Sequence, residues 1–326
     1  MRALRARCAG VLPLLLPFLG APAAAFAQDY PAKPIRVVVP FPPGGGTDII
    51  ARLVTQKITE RLGANFLIDN RPGAGGAIGA EVVAKAPPDG YTIAVVSSSH
   101  AINPSLYKKL SYDAARDFAA VTLIVSGPGV LVVHPSVPAK TVKELIAFAR
   151  SRPGQIYYAS AGNGTPPHLA AELFKTMTGI SMVHVPYKGN TMAYADLVSG
   201  QVSVSFPTIV SALPFVRAGR LRGLAVTSAK RAAVIPELPS IAEAGVPGYD
   251  SATWFGMLAP AGTPAAIVAK LNQETVRAIQ LPDTRSRFLE QGLEPVGNRP
   301  EEFAAIIATD MAKWAKVVAA SGMKID

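Results

Sequence analysis

The chain has 326 residues, a formal charge of +10 and one cysteine, Cys8. Once the N-terminal stretch that holds Cys8 is set aside, disulfides, thiolate metal sites and a cysteine nucleophile are excluded. The basic residues are scattered and no aromatic-basic platform interrupts them, so nucleic acid is not an expected partner.

Residues 1–27 read as a secretory leader. Arg2, Arg5 and Arg7 give a basic start, Val11 to Leu19 are apolar, and Ala25-Phe26-Ala27 is an A-x-A cleavage pattern. Cleavage would leave Gln28 as the first mature residue. The competing reading, an uncleaved anchor, suffers from an apolar run too short to span a bilayer as a stable helix. Cys8 precedes that run and so is not placed for lipidation at the cleavage point. Loss of the leader's three arginines takes the charge from +10 to +7 and leaves 299 residues, enough for one or two cores. A positive field concentrates anionic solutes, although general solubility would explain the same excess. No apolar segment of transmembrane length follows residue 27, so the expectation is a soluble periplasmic protein.

From there strand-like and helix-like runs alternate. Ile35 to Val39 is a continuous β-branched run, as in a strand buried on both faces. Phe41-Pro42-Pro43-Gly44-Gly45-Gly46-Thr47-Asp48 leads into a helix with Ile50, Leu53, Val54, Ile58 and Leu62 at helical spacing and Gly63 as its stop. Strand 66–68, a loop with Gly73, Gly75 and Gly76, a short helix near 80–85 and strand 91–96 follow. Strands at 121–125 and 130–133 come next, then helix 142–150 after Thr141, a candidate N-cap. Strand 156–159 enters a second glycine junction, Ser160-Ala161-Gly162-Asn163-Gly164-Thr165-Pro166-Pro167-His168, and helix 169–177. Strand 182–185, helix 192–197 and strands 201–206, 221–227 and 253–259 complete the alternation. The remainder is helical over 264–279, 284–291 and 300–320. Such βα repetition predicts an α/β protein with mixed, mostly parallel sheets, helices on both faces and ligands at the C-terminal strand ends. Its length suggests two lobes.

Each glycine junction leaves backbone N–H groups unpaired at the positive end of a helix, which favours an anion. In the first, Thr47 is a candidate cap and Asp48, which would repel an anion, is assigned to holding the loop. Gly44 and Gly46 fit a dinucleotide fingerprint, but Ile49 occupies its third glycine position and no phosphate-loop lysine is present. In the second, Ser160 and Thr165 hydroxyls with loop N–H groups could hold a carboxylate. His168 is open to either a structural or a ligand role. His100, His134, His168 and His184 show no metal-ligand spacing. Ser160 lacks the first glycine of a nucleophile elbow. Serine, glycine, threonine and aromatic residues at strand ends bind rather than activate, so no catalytic residue, metal or cofactor is expected.

At these residues the chain resembles the Bug family, periplasmic solute receptors of tripartite tricarboxylate transporters. The likeness runs through Asn70 to Gly76, Pro88 to Thr92, Tyr158 to Thr165, Val185 to Gly189, Leu224 to Ser228, Glu243 to Gly248 and Trp254 to Pro260. It implies a two-lobe type II "Venus flytrap" with residues 28–128 plus 251–326 in lobe 1 and 129–250 in lobe 2, acting as a monomer on a small carboxylate. Carried over by position, the site takes Phe41, Gly44, Gly45, Thr47 and Ser98 from the first lobe. The second supplies Ser160, Ala161, Gly164, Thr165, His168 and Tyr187. Lys188 is the one nearby cation and is assigned a solvated role. Pro207 and Ser203 stand where relatives carry acids, which favours a carboxylate without an amino group. Pro167 departs from a bulkier residue. Trp254 is placed either at the cleft or as an aromatic plug behind it. A membrane transporter is the implied partner; presentation to a sensor kinase and, more remotely, an exported α/β enzyme remain alternatives.

Overall fold

A computed structural model describes residues 30–321, so the leader expected over 1–27 lies outside the described residues. In chain order the elements are β1 (Ile35–Val39), α1 (Gly46–Leu62), β2 (Phe66–Asn70), a 3-10 turn (Ala74–Gly76), α2 (Ala77–Ala84), β3 (Thr92–Ser97), α3 (Ser99–Leu106), β4 (Phe118–Pro128) and β5 (Val130–Val133). Then come α4 (Val142–Ser151), β6 (Tyr157–Ser160), α5 (Pro166–Thr178), β7 (Val183–Pro186), α6 (Asn190–Ser199), β8 (Val204–Ser205), α7 (Ile209–Arg217) and β9 (Arg222–Val226). The chain ends with β10 (Ala252–Pro260), α8 (Ala265–Gln280), α9 (Pro282–Glu290), β11 (Glu294–Pro295) and α10 (Pro300–Ser321).

Local signals set these boundaries. Gly63 adopts φ 66° and its N–H closes the last turn of α1 on the Thr59 carbonyl at 2.9 Å. The Thr141 hydroxyl caps α4 by accepting the Glu144 N–H at 3.1 Å. Two helices that periodicity does not reveal, α3 and α7, each carry an internal proline, Pro104 and Pro214.

The strands form two sheets. One has six strands in the order β11-β4-β10-β3-β1-β2, the other five in the order β7-β6-β8-β5-β9. Their edges are fed by βα units, so β1–β2, β1–β3, β6–β7 and β6–β8 pair in parallel. β10 runs back between β3 and β4 antiparallel to both, and β5 lies antiparallel to β8 and β9. With β11–β4 also antiparallel, the sheets are mixed as expected, but antiparallel pairings outnumber parallel ones instead of the reverse. The return strand β10 and the β4–β5 crossing impose this, and neither is visible in a βα pattern.

Each sheet has its own core. Val38, Ala94, Val96, Leu258, Phe303 and Ile307 pack on the first; Leu131, Val133, Tyr158, Phe174, Phe206 and Tyr249 pack on the second. A third cluster joins the two halves: Trp314 and Val318 of α10 meet Ile102 and Leu106 of α3 and Leu169 of α5.

Candidate functional site

The first glycine loop connects β1 to α1. Gly45 is the N-cap, in extended conformation and without a side-chain cap. The first N–H bonded within the helix is that of Ile49, to the Gly45 carbonyl at 3.0 Å. The N–H groups of Gly46, Thr47 and Asp48 therefore have no helical acceptor. Thr47 lies inside the helix and does not cap it, a correction to its expected role. Gly46 is closely covered here. A Cβ would stand 3.0 Å from Val210 Cγ1 and 3.2 Å from Thr208 Oγ1.

Asp48 holds this loop from behind. Its carboxylate accepts from the Gly44 N–H at 3.0 Å, Arg52 Nε at 2.9 Å and Asn70 Nδ2 at 3.0 Å. Burial alone would raise its pKa, but the Arg52, Gly44 and Asn70 donors outweigh that and hold it below the ordinary carboxylate value.

The second loop connects β6 to α5 and is more closed on itself than the sequence suggests. Thr165 Oγ1 donates to the Gly162 carbonyl at 2.6 Å instead of capping α5. Ser160 Oγ lies 2.7 Å from His184 Nε2 and 3.1 Å from both the N–H and the carbonyl of Gly162. The two hydroxyls expected to hold a ligand thus hold the loop. Pro166 and Pro167 supply no N–H and the first N–H bonded within α5 is that of Leu169, so His168 alone offers a first-turn N–H without a helical acceptor.

A third junction completes the set. β7 leads through Tyr187, Lys188 and Gly189 into α6, and Thr208 is the N-cap of α7. These segments enclose two adjoining chambers. The smaller, of about 40 Å³, is walled by Gly46 and Thr47 of α1, Thr165 to Pro167 at α5, Asn190 and Thr191 of α6, Thr208, Ser97 and Phe255. The N-terminal ends of four helices therefore converge on it. The larger, of about 340 Å³, lies between the Pro72–Gly76 loop, Tyr107, Asn163, Tyr187 and Lys188. Phe41, Pro42, Ala161 and Gly189 wall both. Neither wall contains an acidic residue, and Lys188 is its one formal charge.

Of the residues expected at the site, Phe41, Gly45, Thr47, Ala161 and Thr165 border the smaller chamber and Tyr187 the larger. The Tyr187 hydroxyl donates to Asp196 Oδ2 at 2.6 Å; burial and that carboxylate push its pKa up to about 12. The other expected residues stand behind the walls. Gly44 turns its N–H to Asp48. Ser98 gives its N–H to the Trp254 carbonyl at 3.0 Å, and Ser97 takes the wall position. Gly164 faces Asn103 and Leu106 of α3. His168 accepts the Gly164 N–H at Nδ1, 3.2 Å, and stacks on His184 with centroids 4.0 Å apart. Burial, then Lys175, push the His168 pKa down to about 4.

Trp254 is a core residue. Its Nε1 donates to Asp310 Oδ2 at 2.6 Å and its ring meets Phe303 edge-on. Strand alternation turns its neighbour Phe255 to the chamber instead. Asn190, Thr191 and Thr208 are wall residues that the sequence reading missed. Their signal was present: Gly189-Asn190-Thr191 repeats the strand–glycine–helix pattern of the other two junctions.

The family model described as tripartite tricarboxylate transporter family receptor matches residues 50–323. The chain belongs to this family. Among solved structures, the receptor is similar to Rpa4515 of R. palustris, described with adipate, at 40% identity over 91% of this chain and 100% of that one, TM-score 0.89. It is similar to the periplasmic binding protein BugD at 32% identity over 91% and 100%, TM-score 0.87. MatC from Rhodopseudomonas palustris, described with bound malate, is 34% identical over 89% and 100%, TM-score 0.85. The receptor is thus a member of a family of periplasmic solute-binding proteins with an α/β two-lobe fold.

Proposed function

We propose that this protein captures a small carboxylate between two lobes and delivers it to a tripartite membrane transporter. The observation that carries the reading is the convergence of four helix N-termini on a chamber free of acidic side chains. Partial positive charge from aligned peptide dipoles and unpaired N–H groups suits a carboxylate without any arginine. About 40 Å³ accommodates a carboxylate head, and the adjoining chamber accepts the rest of the molecule. Adipate in Rpa4515 and malate in MatC support the ligand class. Lack of an acid in either wall favours a ligand without an ammonium group.

Residues 28–128 plus 251–326 form one lobe and 129–250 the other, with ligand binding coupled to their closure. The leader is removed after Ala27 and the mature protein acts in the periplasm as a monomer, by binding and without covalent chemistry or a cofactor. Titration calorimetry with adipate, malate, short monocarboxylates and a neutral sugar tests the reading. Saturable binding of at least one carboxylate is expected, with none of the sugar. Binding of the sugar and of no carboxylate overturns it.

A further inference from the structure

Behind the second loop lies a column of rings that the ligand walls do not use. Tyr158 of β6, His184 of β7 and His168 of α5 stack, with interplanar angles of 17° between Tyr158 and His184 and 9° between the histidines. The column bonds the loop at two points. His184 Nε2 meets Ser160 Oγ at 2.7 Å, and His168 Nδ1 accepts the Gly164 N–H at 3.2 Å.

We propose that His168 is a positioning residue: its neutral ring, with the proton on Nε2, clamps the Gly164 N–H and so fixes the loop that forms one side of the ligand chamber. This rests on the reading of that loop as half of a carboxylate site. Gly164 is the sensitive point. It sits at φ 74°, and a Cβ there would stand 2.9 Å from Asn103 Oδ1 and 3.0 Å from Leu106 Cδ1. The residue held by His168 is therefore also the one that meets α3 on the other half of the protein. Protonation at Nδ1 would set N–H against N–H and open the clamp. The groups packed around the column keep it neutral. Glu172 is engaged by the Tyr158 hydroxyl and by Lys175 Nζ at 2.7 Å, and its charge acts on His184 rather than on His168. Lys175 itself opposes one. Ser160 is neutral, and Asn103 faces Gly164 with an uncharged amide.

The test replaces His168 by leucine, which removes the acceptor, and by asparagine, whose Oδ1 can stand in for Nδ1. Three readouts are taken: calorimetry with adipate and malate, hydrogen exchange of the Gly164 amide, and the wild-type imidazole tautomer by nitrogen-15 NMR. His168→Leu is expected to weaken binding about tenfold and to speed Gly164 exchange by a similar factor, because a buried donor loses its partner. His168→Asn is expected to return both to within about threefold of wild type, which a space-filling role would not do. Equal losses in the two variants, or no loss with leucine, overturn the clamp. A wild-type proton on Nδ1 also overturns it, and this holds even if the leucine variant does not fold. If wild type binds the sugar and no carboxylate of the panel, the function reading is at fault, while exchange and tautomer still decide the role of His168.

Discussion

Pro42 and Gly189, which wall both chambers, meet face to face: a Cβ on Gly189 would lie 2.7 Å from Pro42 Cγ. Pro42 belongs to the first glycine loop and Gly189 to the third, so the contact joins segments from the two sheets. Gly189 also sits at φ 122°, where an L side chain is strained. Gly189→Ala should therefore do two things. It should cost about 1–3 kcal/mol in backbone strain, and it should hold the two loops apart. The expected outcome is binding of adipate or malate weakened more than tenfold, with a larger radius of gyration by small-angle scattering at saturating ligand. A variant that binds and compacts like wild type would show that the contact does not limit closure.

Trp254 and Phe255 separate stability from binding. Trp254→Phe deletes the bond to Asp310 and should lower stability by about 1–2 kcal/mol, read as a shift in urea midpoint at unchanged slope. Its ligand affinity should stay at the wild-type value, since the ring faces α10. Phe255→Leu removes a chamber wall and should alter affinity for the shortest carboxylates most. If the two effects exchange places, the assignment of faces along β10 is wrong.

Asp48 gives a sharper test of the first loop. Asp48→Asn keeps the shape but replaces an acceptor-only group by an amide. One of its three donors, Gly44 N–H, Arg52 or Asn70, then loses its partner. A loss of about 1–3 kcal/mol is expected, together with weaker ligand binding as the loop loosens. Unchanged thermal stability would remove Asp48 from its scaffold role.

The alternation of strands and helices is legible because apolar runs bounded by glycine and proline punctuate the chain at every turn. Thr141 announces α4 and Gly63 ends α1 in the sequence as in the structure. Two things were hidden for physical reasons. Strand direction in the return path depends on where β10 inserts, which no local pattern encodes. Side-chain direction in a loop depends on competing local acceptors. Ser160 and Thr165 look like ligand donors until the Gly162 carbonyl claims both hydroxyls. The N–H groups survive this competition better, because a helix N-terminus leaves them no internal partner. The helix ends at Gly46, Asn190 and Thr208 are therefore the more durable signal.

The buried histidines set a pH window for stability. Burial lowers the His100 pKa to about 4 against the opposing Ala114 carbonyl. Burial and Lys175 lower His168 to about 4. Burial, then the neighbouring His168, lower His184 to about 3. All three are bases with depressed folded-state values, so below the unfolded value of about 6.5 the unfolded chain takes up protons that the folded protein refuses. Their contribution is complete above pH 6.5 and is lost as pH falls from there towards 4. Each strongly shifted histidine steepens the fall by up to about 1.4 kcal/mol per pH unit. Ordinary carboxylates are still largely ionised over the upper part of this window, so a decline between pH 6.5 and 5 isolates the histidines. Urea unfolding at half-unit steps should show that decline in wild type and a shallower one in His100→Gln. A flat profile between pH 6.5 and 5 would mean that the three rings are protonated in the folded state as readily as in the unfolded chain.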